Sequence, residues 1–183
     1  MITPYACDAM FSAAECDQIV RLARAHDFAE AGLVRGQQNE SIRVARIAWL
    51  DEEGEAGWVF RRVVDTVLAA NRAHFGFALT EFAERAQVAC YEAEEGSHFD
   101  WHTDIGAGTF AAKRKLTLVA QLSEPADYAG GALDLNGNGQ VDAVGRARGS
   151  ATLFPSFVLH RVTPVTRGRR FSLTTWVHGP AFT

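Results

Sequence analysis

The 183-residue chain has only three cysteines, Cys7, Cys16 and Cys90, with no C-x-x-C spacing among them. That scarcity excludes a disulfide framework and makes a reducing compartment the default. Long apolar runs are also missing, and the opening M-I-T-P-Y-A-C-D lacks the basic segment and apolar stretch of a secretory leader. The expectation is a soluble cytoplasmic protein with no membrane partner. Charge of one sign is not in excess: 18 basic against 22 acidic residues leave a formal charge of -4, which argues against nucleic acid as an obligate partner. No internal repeat, low-complexity tract or linker divides the chain, so one domain over residues 1–183 is expected. No G-x-G-x-x-G opens a helix near Gly130 and Gly131, and L-N-G-N-G-Q at 135–140 lacks the acidic positions of a calcium loop; both read as turns between strands.

What is present divides by periodicity. Ser12 and Glu15 have capping-box spacing ahead of Ile19, Val20, Leu22, Ala23 and Phe28, which predicts a helix from about residue 13 to the high twenties. A strand is expected near 41–50, and a second helix over about 57–75. After Phe77 short strands follow one another: 84–91, 98–104, 115–122, 132–135, 140–144, 151–154, 157–162 and 170–177. This pattern predicts a mainly β fold with N-terminal helices, helical support over about 1–80 and a jelly-roll core over about 81–180. Trp49, Trp58 and Phe60 are expected in the core, and Lys113, Arg114 and Lys115 as a solvated cluster at a strand start.

The chemistry concentrates in G-S-H-F-D-W-H-T-D-I-G at 96–106, which contains two His-x-Asp pairs, His98/Asp100 and His102/Asp104. Residues two apart on a strand share a face. With His160 in the later strand F-V-L-H-R-V, His102 and Asp104 make a two-histidine, one-carboxylate set. Such a set occupies three corners of an octahedron and leaves three open, as in non-haem iron(II) oxygenases. Zinc also accepts these ligands, so the triad alone leaves the metal open. Arg170 narrows the choice. Placed one strand after His160 and facing the same interior, it would need an anionic partner, and a dicarboxylic cosubstrate supplies one. Ser172 shares its face, while Arg169, opposite in parity, points outward. Trp101 is expected to point away from the metal.

His102-x-Asp104, His160 and Arg170, with G-G-A-L-D-L at 130–135, F-P-S-F-V-L-H-R-V-T-P-V-T-R-G-R-R and the final strand S-L-T-T-W-V-H-G, resemble the iron(II)/2-oxoglutarate dioxygenases. The likeness is to the prolyl 4-hydroxylase-like branch that includes the PKHD-type hydroxylases, and it covers about residues 86–179. It implies a double-stranded β-helix, a distorted jelly roll buttressed by two helices. It implies iron held by His102, Asp104 and His160, and Arg170 on the distal carboxylate of 2-oxoglutarate. Tyr91 matches a family tyrosine near the cosubstrate, although Y-E-A-E-E-G carries extra acidic residues before Gly96. The implied activity is oxidative decarboxylation of 2-oxoglutarate by O2, coupled to hydroxylation of an unactivated C–H in an amino-acid, peptidyl or small-molecule substrate, with ascorbate as a possible stimulant.

The resemblance places the metal on the second His-x-Asp pair. His98 and Asp100 remain open between substrate contact, a rival ligand pair and ordinary solvated residues. Glu92, Glu94, Glu95 and Asp100 would, at the rim, favour a cationic or polar substrate. Residues 35–39 and 104–112 are candidate lids. The competing readings are a metal-dependent hydrolase on a jelly-roll scaffold, which leaves Arg170 without a purpose, and a non-catalytic cupin-like small-molecule binding module. Oligomeric state is not legible.

Overall fold

The structure, a computed structural model, describes residues 3–26, 28–30 and 42–182. Two helices lie against one of two antiparallel sheets. Helix α1 (Ala13–Arg24) begins at the expected capping box, Ser12 accepting from the Glu15 amide and Glu15 from the Ser12 amide, and ends with Arg21 and Arg24 near its negative pole. It buries Cys16, Ile19 and Ala23. Helix α2 (Gly57–Ala70) buries Val59, Val63, Val67 and Ala70, a single stripe at helical spacing. It continues through a wider turn, Asn71–Phe75, and stops at Gly76.

The strands among the described residues are, in chain order, β1 (Tyr5–Cys7), β2 (Ala29–Glu30), β3 (Arg43–Val44), β4 (Arg46–Leu50), β5 (Ala86–Glu92), β6 (His98–His102), β7 (Arg114–Gln121), β8 (Tyr128–Gly130), β9 (Leu133–Asn136), β10 (Asp142–Ala143), β11 (Ala151–Pro155), β12 (Leu159–Val162) and β13 (Val165–His178). The larger sheet runs β1-β11-β7-β13-β5-β4-β2, with β8 on the first part of β13; the smaller runs β10-β9-β12-β6-β3. Every strand expected from the sequence is present within a few residues. The segment near 41–50 forms two strands, because the chain crosses from the smaller to the larger sheet at Ala45.

The two faces of the larger sheet differ in kind. Leu116, Leu118, Ala120, Phe171, Leu173, Val177, Val88 and Cys90 face the helices in one apolar core. The alternate residues face the smaller sheet, where Ala89, Tyr91, Val119 and Phe154 meet Leu133, Leu135 and Val162 in a second core. That inner face also carries polar side chains that are almost fully enclosed: Gln87, Thr117, Gln121, Arg170 and Ser172. Buried polar groups destabilise a fold unless they are paired, so polar residues on the inner side of a sandwich mark the place where the fold has been given over to a site. Glycine matters most at Gly131, which turns the chain toward β9 with a φ of +58°; a Cβ there would sit 2.9 Å from Val165 Cγ2 and 3.1 Å from Arg170 Cδ.

Three expectations are corrected. Arg114 and Lys115 are buried rather than solvated: Arg114 is paired with Glu84 and its guanidinium lies 3.9 Å over the Trp176 ring, and the Lys115 ammonium lies 3.6 Å over Phe182. Trp49 lines a cavity rather than filling the core. Trp101 lines it too, with Arg161 4.7 Å from its ring. The cause is a bulge: β12 pairs His160 with His102 and Val162 with Phe99, so β6 carries one extra residue between them. Simple alternation therefore fails along β6.

Candidate metal and cosubstrate site

The bulge places Phe99 and His102 on the cavity side together, their rings stacked with centroids 3.4 Å apart. His102 and His160 are register partners across β6 and β12, and their ring centroids are 4.1 Å apart. Asp104 lies just past the end of β6. Its position comes from backbone contacts rather than from strand alternation: the Asp104 and Ile105 amides both donate to the Ser156 carbonyl, at 2.9 and 3.0 Å, and Arg114 Nη1 donates to the Asp104 carbonyl at 3.1 Å. The carboxylate then stands 3.8 Å from His102 Nε2 through Oδ1 and 3.4 Å from His160 Nε2 through Oδ2. One ligand atom from each of the three lies within 4.8 Å of the others.

The hydrogen bonds around this cluster decide the tautomers. His102 Nδ1 is 2.7 Å from the Asp100 carbonyl and His160 Nδ1 is 2.9 Å from the Val158 carbonyl. A carbonyl only accepts, so each Nδ1 carries the proton and each Nε2 presents a lone pair toward Asp104. Burial and the neighbouring His160 lower the His102 pKa from the ordinary 6.5 to about 4, Asp104 offsetting only part of this; the ring is neutral near pH 7. Burial works against ionisation of Asp104, yet His160, His102, the Thr117 hydroxyl and Arg114 together hold its carboxyl below the usual carboxylate range. Thr117 Oγ1 donates to Asp104 Oδ2 at 2.7 Å and lies 3.1 Å from Ser156 Oγ. Two imidazoles, each held through Nδ1 with Nε2 turned to the cluster, and a carboxylate oriented by Thr117 fit a divalent metal ion.

A cavity of about 670 Å³ opens beside these three, lined on its inner side by Tyr91, Val119, Leu133 and Ser172. Arg170 lies one layer beyond that lining. It is fully enclosed, is the register partner of Tyr91, and its guanidinium carbon is 5.3 Å from the Tyr91 ring. Its Nε and Nη2 donate to Gln121 Oε1 at 3.3 and 3.0 Å, while Nη1 is buried with no acceptor. Burial presses the Arg170 pKa below the ordinary arginine range, with the Tyr91 and Tyr128 rings opposing it. Among the described residues no carboxylate pairs with this cation; a neutral glutamine orients it and one donor is left over. That is the chemistry of a site for a carboxylate brought by a ligand.

The structure thus gathers His102, Asp104, His160, Tyr91, Ser172 and Arg170 around one cavity. It does not bring in His98 or Asp100: His98 Nδ1 donates to the Gly96 carbonyl at 3.0 Å, Asp100 Oδ1 accepts from the Trp101 amide at 2.8 Å, and neither lines the cavity. None of Glu92, Glu94, Glu95 and Asp100 lines the cavity, and Glu92 pairs with Arg169 and Glu95 with Arg46. The 104–112 stretch supplies Ile105, Gly106, Ala107 and Ala111 to the cavity wall; the 35–39 stretch lies outside the described residues. Thr117, Ser156, Arg114 and Gln121 were missed. Thr117 and Gln121 had a signal: they interrupt K-L-T-L-V-A-Q-L on one parity, polar residues opposite a purely apolar face.

A sandwich of this topology around a histidine, aspartate and histidine cluster defines a double-stranded β-helix metalloenzyme, and comparison with known proteins makes the class specific. Residues 86–178 match the profile of the 2OG-Fe(II) oxygenase superfamily. The chain belongs to that family and is an iron(II)- and 2-oxoglutarate-dependent oxygenase. It is 43% identical to a PKHD-type hydroxylase of Acidovorax ebreus over 82 residues, a segment covering 45% of this chain and 31% of that one. With a PKHD-type hydroxylase of Synechococcus sp. it shares 27% identity over 174 residues, 92% of this chain and 75% of the relative. The fold matches a Pseudomonas putida prolyl-4-hydroxylase with a TM-score of 0.76 at 24% identity, over 96% of this chain and 92% of that one. The cofactor set of the family is iron(II), 2-oxoglutarate and O2. Among the described residues no helix is long and apolar enough to cross a membrane.

Proposed function

We propose that this single domain hydroxylates an unactivated C–H of its substrate, with His102, Asp104 and His160 holding the iron and Arg170 holding the distal carboxylate of 2-oxoglutarate. The observation that carries the reading is the pairing of a lone-pair-bearing triad with a buried arginine whose Nη1 has no acceptor. When bound, the iron and cosubstrate supply the activation of O2 that ends in succinate, carbon dioxide and a hydroxylated product.

The protein's part is placement. Asp100 and Val158 carbonyls hold the imidazole protons on Nδ1, which keeps both Nε2 atoms free for metal. Thr117 steadies the carboxylate oxygen that would otherwise rotate. Gln121 fixes the plane of the Arg170 fork, so that a carboxylate meets a preorganised donor. Ser172 and Tyr91, lining the cavity in front of Arg170, lie where the body of the cosubstrate would run. The apolar wall of Val119, Leu133 and Val162 excludes water around the reacting atoms. No general base is required, and none is assigned. Asp104 is retained as a carboxylate, in keeping with hydroxylation.

The reading is tested by an anaerobic calorimetric titration of iron-loaded protein with 2-oxoglutarate, followed by measurement of succinate on admitting O2. Wild-type protein is expected to bind one cosubstrate per iron, and Arg170→Ala to weaken that binding about 10- to 150-fold, the loss of one charge-assisted contact. Unchanged binding in the variant would move the cosubstrate carboxylate elsewhere. No binding in the wild type would return the site to a hydrolase or a non-catalytic binding module.

A further inference from the structure

We infer that the primary substrate carries a carboxylate held by Arg43, and that it is a small carboxylic acid rather than an internal residue of a polypeptide; this rests on the oxygenase reading above. Arg43 opens β3 and lines the cavity. Its guanidinium carbon is 4.5 Å from the centroid of the Phe99 ring, and that ring is stacked on His102. The cation therefore stands one aromatic ring away from a metal ligand. Nη2 donates to Gln87 Oε1 at 2.6 Å, and Nε is buried with no acceptor.

Among the described residues, carboxylates on the neighbouring strands are engaged elsewhere, Asp100 through Oδ1 with the Trp101 amide. Glu92 and Glu95 are paired with Arg169 and Arg46, Glu84 with Arg114, and Asp104 faces the two histidines. Among the described residues none forms an ion pair with Arg43. A neutral amide orients the guanidinium without cancelling its charge, the same arrangement that Gln121 gives Arg170 at the other end of the cavity. A partly buried cation held this way is completed by an anion from outside the chain.

That anion is not the distal carboxylate of 2-oxoglutarate. Gln87, the partner of Arg43, and Tyr91, the register partner of Arg170, are four residues apart on β5, about 13 Å at ~3.3 Å per residue. The two cations thus serve separate carboxylates. Around Arg43 the wall is apolar and aromatic, from Ile42, Trp49, Trp101 and Trp176, which suits a hydrocarbon or aromatic body attached to the acid. An internal residue of a polypeptide has no carboxylate of its own backbone to offer so close to the reacting carbon; a free acid does.

The test uses iron-loaded protein under anaerobic conditions, first titrated with 2-oxoglutarate to saturation. It is then titrated with matched acid and amide pairs: phenylacetate, 3-phenylpropanoate, cyclohexylacetate and N-acetylphenylalanine against their primary amides. At least one acid should bind about 10- to 150-fold more tightly than its amide. Arg43→Gln should abolish the difference and leave 2-oxoglutarate affinity unchanged, and Arg43→Lys should restore part of it. No acid preference across the panel, or a preference that survives Arg43→Gln, overturns the inference. Failure of 2-oxoglutarate to bind wild-type protein is read before any acid is added; it overturns the oxygenase reading, and the inference falls with it.

Discussion

At the scale of single residues, the site depends on atoms that touch no metal. Thr117 is enclosed and donates to Asp104 Oδ2. Thr117→Val keeps the shape and removes the donor, so iron affinity measured by competitive chelation should fall about 10- to 100-fold; an unchanged affinity would leave Asp104 oriented by its backbone contacts alone. His102 makes a pH prediction for the metal-free protein. Its folded pKa, about 4, lies below the ordinary 6.5, so between those values the unfolded chain binds more protons at this residue. The contribution of His102 to stability is present above pH 6.5 and is lost as pH falls toward about 4. Urea unfolding of metal-free protein across that window should show stability declining with pH, and His102→Gln should flatten part of the decline. The two His-x-Asp pairs illustrate why residue identity alone was insufficient: the four side chains look equivalent in the sequence, and with a one-residue bulge in β6 His102 and Asp104 line the cavity while His98 and Asp100 do not.

Elements supply the spacing between those residues. β13 is 14 residues long and carries Arg170, Ser172, Thr174 and Trp176 on one parity, so in the proposed site a single strand would set how far the cosubstrate carboxylate lies from the metal. Gly131, at the turn before β9, lets the chain pass against Arg170 Cδ. Gly131→Ala would place a Cβ at a positive φ and within 3.1 Å of that carbon, displacing the guanidinium. Its expected signature is a lower melting temperature together with weaker 2-oxoglutarate binding; a drop in melting temperature with normal cosubstrate affinity would mean that Val165 absorbs the strain instead. The helices were legible as elements because the apolar stripes of both, and the capping box of α1, are local. The split of the 41–50 segment into β3 and β4 was not, since only pairing with β6 on one side and β5 on the other divides it.

For the molecule as a whole, the two cores divide the labour: the helix-facing core is built from apolar residues with Thr175 enclosed beside them, and the inner side contains the buried cation and the polar triad. Ligands that bind the folded state alone raise stability by mass action. Adding iron(II) and then 2-oxoglutarate at 100 times its Kd should therefore stabilise the protein by about 2.7 kcal/mol for the second ligand. Arg170→Ala, binding about 10- to 150-fold more weakly, should keep only about 0.3 to 1.4 kcal/mol of that increment at the same concentration while retaining the shift from iron, and loss of both shifts would place Arg170 among the residues the metal site needs for its shape.

The family resemblance, not local chemistry, singled out His102-x-Asp104 from His98-x-Asp100; local chemistry in the sequence determined the helix starts, the succession of short strands, and the choice of Arg170 over Arg169 by parity. These follow from periodicity and residue type, which act between near neighbours. Tertiary structure alone decided that Asp104 is held by Ser156, Arg114 and Thr117, that Glu95 and Glu92 are paired with Arg46 and Arg169, and that Arg43 is left beside Phe99 with a donor to spare. Each of those depends on which distant strand lies alongside. A pairing register across two sheets sets that neighbourhood, and no window of the chain contains it.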